Sequence, residues 1–264
     1  KSFDEVAQKY DEIPFFKTSA AYVAELLQKH THRPSLRVLD VACGTGNVVL
    51  ECAIAMPQSK FDAIDISESM LAKAKENAIS RDLNNIDFFV QDITKLDIDK
   101  KYHAITCSYA LFFLPDAPRV LRSLLSLLAP RGMVIFTSFA TNAFSPSTDI
   151  LLPLLAEHGS STAQEYDMHK WENLKTRKDI ERLCTLSYVT DMEIFSKEIS
   201  YGMSIDEWWD LLNNTGYNGM LMELSSDVYA KVKNAYYQEM FKHVDMDGEV
   251  ELIADSWYVI AKKD

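Results

Sequence analysis

Between Val38 and Val48 the chain reads VLDVACGTGNV, an acid at the end of a β-type run followed by a turn of small residues and a helical run. Glycines at Gly44 and Gly46 let a ligand approach the backbone closely, and the helix start behind them offers unpaired N–H groups to a polar or anionic ligand. A dinucleotide fingerprint needs G-x-G-x-x-G, and counted from Gly44 its sixth position is Val49. The missing third glycine weakens NAD or FAD, and a nicotinamide-dependent oxidoreductase is the alternative enzyme. Two more acids, Asp65 and Asp92, follow the next β-type runs. Each alone fits a solvated strand end, and Gly44 and Gly46 alone fit an ordinary turn. At successive strand ends they converge on the crevice where open α/β sheets bind ligands.

The elements that must position these residues alternate in type. Arg37 to Val41, Phe61 to Ile66, Ile86 to Val90, Ala104 to Ser108 and Met133 to Ser138 read as strands, separated by helical segments. Ser67 is an N-cap, and Met70, Ala74 and Ala78 form one buried stripe behind it. Asp116 opens a helix that Ala129-Pro130-Arg131-Gly132 ends. Thr141 to Thr176 reads as loop with short helices, Lys178 to Thr185 as helix, and Tyr188 to Ser200 as a sixth strand. Ser204 and Ser226 open two further helices, and Glu249 to Ala261 alternates like a last strand. This order predicts an α/β, Rossmann-like sheet of seven strands, mostly parallel, with helices on both faces, an antiparallel last strand and a helical cap inserted at about 204–245.

The turn resembles the D-x-G-x-G-x-G motif of class I S-adenosylmethionine-dependent methyltransferases, with Asp40, Ala42, Gly44 and Gly46 on the pattern and Ala42 in place of its first glycine. Asp65 matches the acid that binds the ribose hydroxyls, with Ile66 and Met70 beside the adenine. Asp92 and Ile93 match the pair at the adenine edge, and Ser108-Tyr109 opens the segment beside the methyl group. Tyr10, in FDEVAQKYD, resembles the lid helix of the ubiquinone/menaquinone-biosynthesis methyltransferases. The resemblance implies a single methyltransferase domain over 1–264, acting as monomer or homodimer. Its parts are a lid at 1–30, a cofactor half at 35–140 and a substrate half at 141–264.

It also implies S-adenosyl-L-methionine as cofactor, S-adenosyl-L-homocysteine as product and methyl transfer to O, N or C of a small molecule. The sulfonium already carries the activation, so the protein must aim the acceptor in line and exclude water, and no particular catalytic residue is required. Phe16, Phe113, Trp171, Tyr201 and Trp208 are substrate-pocket candidates, with Phe15, His158, His169, Trp209 and Tyr217 as further possibilities. Packing is the competing role for each aromatic, and adjacent Trp208 and Trp209 point about 100° apart, so that one is expected in the core. A non-enzymatic reading, a catalytically silent methyltransferase-like binding protein, keeps the fold alone.

Composition narrows the partners. The 264 residues hold 27 Lys+Arg against 39 Asp+Glu, a net charge of -12, which does not suit a protein that neutralises phosphates. Ser108-Tyr109-Ala110-Leu111 also stands where amino-methylating enzymes carry N/D-P-P-Y/F, so nucleic acid is not expected. Ala104 to Pro115 is the longest weakly polar run, shorter than the ~20 residues a bilayer requires. Cys43, Cys52, Cys107 and Cys184 show no C-x-x-C spacing and no metal motif appears, so no metal is expected and a reduced cytoplasm is. The N-terminal segment is acidic where a signal peptide is apolar.

Overall fold

The computed structural model describes residues 13–166 and 170–263. Tyr10 and the rest of residues 1–12 of the expected lid, and His169, lie outside the described residues. The strands are β1 (Arg37–Val41), β2 (Lys60–Asp65), β3 (Ile86–Val90), β4 (Tyr102–Ser108), β5 (Leu128–Phe139), β6 (Asp191–Lys197), β7 (Ser200–Met203), β8 (Val250–Ile253) and β9 (Ser256–Lys262). The helices are α1 (Pro14–Lys29), α2 (Asn47–Ala55), α3 (Glu68–Ser80), α4 (Ala117–Ser126), α5 (Ser147–Glu157), α6 (Ser161–Glu165), α7 (Arg177–Leu186), α8 (Ile205–Asn213), α9 (Asn218–Leu221) and α10 (Ser226–Met240).

Seven strands form one sheet in the order β3-β2-β1-β4-β5-β9-β6. Neighbours are parallel from β3 to β5, and β9 runs antiparallel to both β5 and β6, as the alternating pattern predicts. The order reverses between β1 and β4, which opens a crevice at their carboxyl ends. Asp40 and Ser108 come from these two strands. The interior strands are buried on both faces, β1 through Val38, Leu39 and Val41 and β4 through Ala104, Ile105 and Cys107.

Two expected strands are each divided. The run expected from Tyr188 to Ser200 becomes β6 and β7, and that from Glu249 to Ala261 becomes β8 and β9, with β7 and β8 pairing as a separate two-stranded sheet. Asp255 makes the corner: its carboxylate accepts from the Ile199 amide at 3.0 Å, and its carbonyl accepts from the Ala140 amide at 2.7 Å. The Ile199 carbonyl in turn accepts from the Ala254 amide at 2.7 Å, so the amides of Ile199 and Ala254 stay paired where the ladder bends between sheets.

The helices α5, α8 and α10 pack around one apolar cluster containing Leu151, Leu155, Trp208, Leu212, Val232 and Tyr236, which the β7–β8 hairpin closes with Val250 and Leu252. Ser204 starts α8 with a reciprocal capping box to Glu207. Beneath the sheet's other face, α1 and α2 pack through Ala20, Val23, Leu27, Val49 and Leu50.

Gly46 is the N-cap of α2 with φ 89°, and a Cβ there would stand 3.2 Å from the Ala74 Cβ of α3. Gly46→Ala is therefore expected to destabilise the protein by about 2 kcal/mol through backbone strain and overpacking together, measurable as a lower midpoint in urea unfolding. An unchanged midpoint would contradict this role for the turn.

Candidate functional site

Three residues of the turn after β1 have positive φ: Ala42 at 52°, Gly44 at 55° and Gly46 at 89°. Ala42 therefore adopts the left-handed conformation that glycine takes more cheaply, at a cost of about 1 kcal/mol. The Cys43 amide donates to the Ile64 carbonyl of β2 at 3.0 Å, which ties the turn to the neighbouring strand. Asp65 makes the second tie, its carboxylate accepting from the Gly44 amide at 2.8 Å and from the Ser67 amide at 2.9 Å. One carboxylate thus holds the turns after β1 and β2 together. A carboxylate has about four acceptor positions, so hydroxyl donors can still join it.

These turns form one wall of a cavity of about 360 Å³. The wall contains Ala42, Gly44, Asp65, Ile66, Ser67, Met70 and Ile93, and Ser108 and Tyr109 follow at the end of β4. A second compartment of about 50 Å³ adjoins it, shares Phe16, Ala42, Gly44, Ser108 and Tyr109, and adds Asp40, Ser19 and Asn47. A Cβ on Gly44 would meet no atom of the described residues within 4 Å, so this position is open toward a ligand.

Asp40 is buried, and its Oδ1 accepts from the Thr106 hydroxyl at 2.6 Å. Its Oδ2 and the Ser108 Oγ are buried without a hydrogen-bond partner among the described residues. Burial pushes the Asp40 carboxyl up to about 7, hydrogen bonds from the Thr106 hydroxyl and the Val49 amide oppose that rise, and the negative charge of Asp65 adds to it. The two buried polar atoms beside Gly44 suit a ligand that carries donors, and the carboxylate favours a cationic one.

Tyr109 is held in the left-handed region at φ 51°, with its amide donating to the Thr137 hydroxyl at 3.0 Å. Its phenol donates to Ser19 Oγ at 2.8 Å, lies 2.8 Å from Ser256 Oγ, and stacks its ring on Phe139 at 4.3 Å. Tyr258 also donates to Ser19 at 2.9 Å. This network pins α1 to the sheet and so sets Phe15 and Phe16 against the cavity. Burial raises the Tyr109 phenol above its ordinary value, so it stays a neutral structural hydroxyl.

Several expected residues lie elsewhere. Asp92 does not line the cavity: its Oδ1 accepts from the Thr94 amide at 2.8 Å and hydroxyl at 2.7 Å, capping a 3-10 turn, while Ile93 does reach the wall. Gly46 serves the helix start rather than the wall. Trp208 is buried in the helical cluster with its indole N–H on the Val250 carbonyl at 3.2 Å. Trp209 is buried too, on Tyr229 at 3.1 Å, so α8 presents both tryptophans to packed neighbours instead of one. Trp171 stacks under the Arg182 guanidinium, Tyr201 hydrogen-bonds Thr18, and His158 turns back to the Leu154 carbonyl at 2.9 Å.

Phe16 and Phe113 do line the cavity, as do Phe15 and Tyr217, and Phe113 stands 58% exposed at its rim. Residues that the sequence left unmarked complete the far end: Phe112, Phe139, Phe144, Tyr166, Lys175 and Met220. Among the described residues no cluster of His, Cys, Asp and Glu could hold a metal, and no helix is long and apolar enough to cross a membrane. All four cysteines are free thiols.

Residues 32–212 match the family model described as methyltransferase domain. The chain is similar to the malonyl-[acyl-carrier protein] O-methyltransferase of Bacillus anthracis, 29% identical over 146 residues that cover 54% of this chain and 53% of that one. It is also similar to the demethylmenaquinone methyltransferase of Lactococcus lactis subsp. lactis, 27% identical over 176 residues, covering 62% of this chain and 70% of that one. The chain spans about half the length of the first of these relatives. Among solved structures, the YcgJ protein from Bacillus subtilis has the same fold with a TM-score of 0.60, 14% identity and coverage of 93% of this chain and 98% of that one.

Proposed function

We propose, from the premise that the chain belongs to the methyltransferase-domain family, that it transfers the methyl group of S-adenosylmethionine to a small organic acceptor. The observation that carries this reading is the pairing of orphaned Asp40 Oδ2 and Ser108 Oγ beside open Gly44, at the point where the sheet order reverses. A cationic amino-acid group satisfies both needs at once. In this assignment Asp40 faces the cofactor's ammonium, and Asp65 accepts from the ribose hydroxyls. Ile66, Met70 and Ile93 flank the adenine, leaving Ser108 and Tyr109 nearest the methyl group.

S-adenosylmethionine supplies a methyl group on a sulfonium that departs as a neutral thioether. The chain's own work is to orient and to exclude water. Phe15 packs edge-on against Phe139 and Phe144, and with Phe16 and Phe112 these rings build an apolar wall in which an acceptor atom is desolvated. The Tyr109 network keeps α1 closed over that wall. No histidine lines the cavity among the described residues, and the buried phenols are held neutral, so the acceptor's nucleophilic atom is one that needs no strong base, such as an ionised oxygen. The free thiols suit a reducing compartment, and we place the protein in the cytoplasm.

A screen of small organic acids, phenols and amines with methyl-labelled S-adenosylmethionine tests the reading. Label is expected in an organic product formed at a rate proportional to enzyme. Binding of S-adenosylhomocysteine with no transfer to any acceptor would contradict methyl transfer and favour a catalytically silent binding protein.

A further inference from the structure

Among the described residues the cavity wall contains one acidic side chain, Asp65, and one basic side chain, Lys175, and separate elements carry them. Asp65 belongs to the turns after β1 and β2. Lys175 comes from the segment between the 3-10 turn Trp171–Asn173 and α7, and its ammonium faces the Tyr166 ring. Its backbone is fixed firmly. The Lys175 carbonyl accepts from the Trp257 indole N–H at 2.9 Å and from the Thr141 hydroxyl at 3.3 Å, and the preceding Leu174 is buried at φ 52°. The side chain is therefore rooted to the sheet through β9 and points its ammonium to within 5.9 Å of the Tyr166 ring centre.

No carboxylate among the described residues lies within ion-pair distance of this ammonium. Asp149 acts on it only from farther away, and the Asp149 carboxylate already accepts from the Ser145 hydroxyl at 2.6 Å. Among the described residues this partly buried cation beside the Tyr166 ring gains no ion-paired counterion, and burial holds the Lys175 ammonium below its ordinary value. The nearby phenols of Tyr166 and Tyr217 are kept protonated by burial, so both are donors toward an anion. Three donors set among aromatic rings match one ligand chemistry, an ionised carboxylate attached to an apolar body.

We propose that Lys175 is the specificity-determining residue of the acceptor end, holding the carboxylate of an apolar or aromatic organic acid. The assignment rests on the methyl-transfer reading for what then happens to that acid, and the binding of the acid can be measured separately. Asp40 and Lys175 would give the cavity opposite polarity at its two compartments, so that the cationic cofactor and the anionic acceptor each have one favourable orientation.

The test titrates three isosteric probes, 4-phenylbutyrate, 4-phenylbutyramide and 4-phenylbutylamine, into the protein with and without saturating S-adenosylhomocysteine. The wild type is expected to bind the carboxylate about tenfold tighter than the amide, and the amine least of all. Lys175→Met is expected to abolish the preference for carboxylate over amide while leaving the amide affinity and the S-adenosylhomocysteine affinity unchanged. Lys175→Arg retains part of the preference. Equal binding of carboxylate and amide by the wild type, a preference that survives in Lys175→Met, or no carboxylate binding up to about 10 mM would overturn the proposal. Loss of S-adenosylhomocysteine binding with the acid preference intact would overturn the methyl-transfer reading and support Lys175 as an acid site.

Discussion

Replacing Asp65 by alanine is expected to lower the affinity for S-adenosylhomocysteine by about a hundredfold, roughly 2.7 kcal/mol. Two losses add. The Gly44 and Ser67 amides lose the carboxylate that accepts from them at 2.8 and 2.9 Å, so the turns after β1 and β2 are no longer held at one separation. The ribose hydroxyls lose their acceptor as well. Isothermal titration of the folded variant reads the effect, and Asp65→Asn, which keeps the shape and one acceptor oxygen, is expected to lose about tenfold. Gly44→Val gives an independent check. No atom of the described residues lies within 4 Å of its Cβ position, while valine at φ 55° strains the turn, so the cost in affinity, about tenfold or more, reports turn strain and ligand space together. Unchanged affinity in folded Asp65→Ala would remove this residue from the site.

The second large effect is a pH dependence. In the proposed assignment ligand binding requires ionised Asp40, whose carboxyl burial pushes up to about 7 in the ligand-free protein. Affinity for S-adenosylhomocysteine is therefore expected to rise about twentyfold from about pH 5.5 to about pH 7.5 and then level off, with a proton released on binding below the plateau. Asp40→Asn is expected to flatten that profile and to lower the plateau by about thirtyfold. Stability runs the other way. A carboxyl with its folded pKa above its unfolded value favours the fold in the protonated form, so the ligand-free protein loses stability as pH rises from about 4 to about 7. Asp40→Asn is expected to unfold at a higher temperature than the wild type at pH 8, because it removes an uncompensated buried charge. A wild-type affinity that is flat in pH would contradict the role given to Asp40.

How far the sequence could be read follows from how local each feature is. Asp40, Gly44, Asp65 and the Ser67 cap belong to strand–turn–helix units of a few residues, so their places are fixed by their neighbours in the chain. The mostly parallel sheet with its antiparallel last strand follows from the same alternation, whereas the strand order does not. The acceptor end was not legible in this way. Lys175 reaches the cavity because Leu174 turns left-handed and Trp257, far along the chain, binds the Lys175 carbonyl. Phe139 and Phe144 arrive from the end of β5 and the segment behind it, where residue type carries no sign of direction.

Aromatic content misleads for the same reason. Trp171, Tyr201 and Trp208 are of the right type, yet an Arg182 guanidinium, a Thr18 hydroxyl and a Val250 carbonyl hold them away from the cavity. Asp92 sits at the expected strand end, but Thr94, two residues on, offers it both an amide and a hydroxyl. The run from Glu249 to Ala261 reads as one strand, and the carboxylate of Asp255 reaching Ile199 reveals that it serves two sheets.

The most direct test of the central claim is calorimetric titration of the purified protein with S-adenosylhomocysteine, with NADH titrated in parallel. Saturable binding of S-adenosylhomocysteine at one site, with a Kd of about 1–100 µM and no heat from NADH, is the expected result. Binding of NADH in its place, or no binding of S-adenosylhomocysteine at about 1 mM, would contradict a methyl-donor site built from Asp40, Gly44 and Asp65.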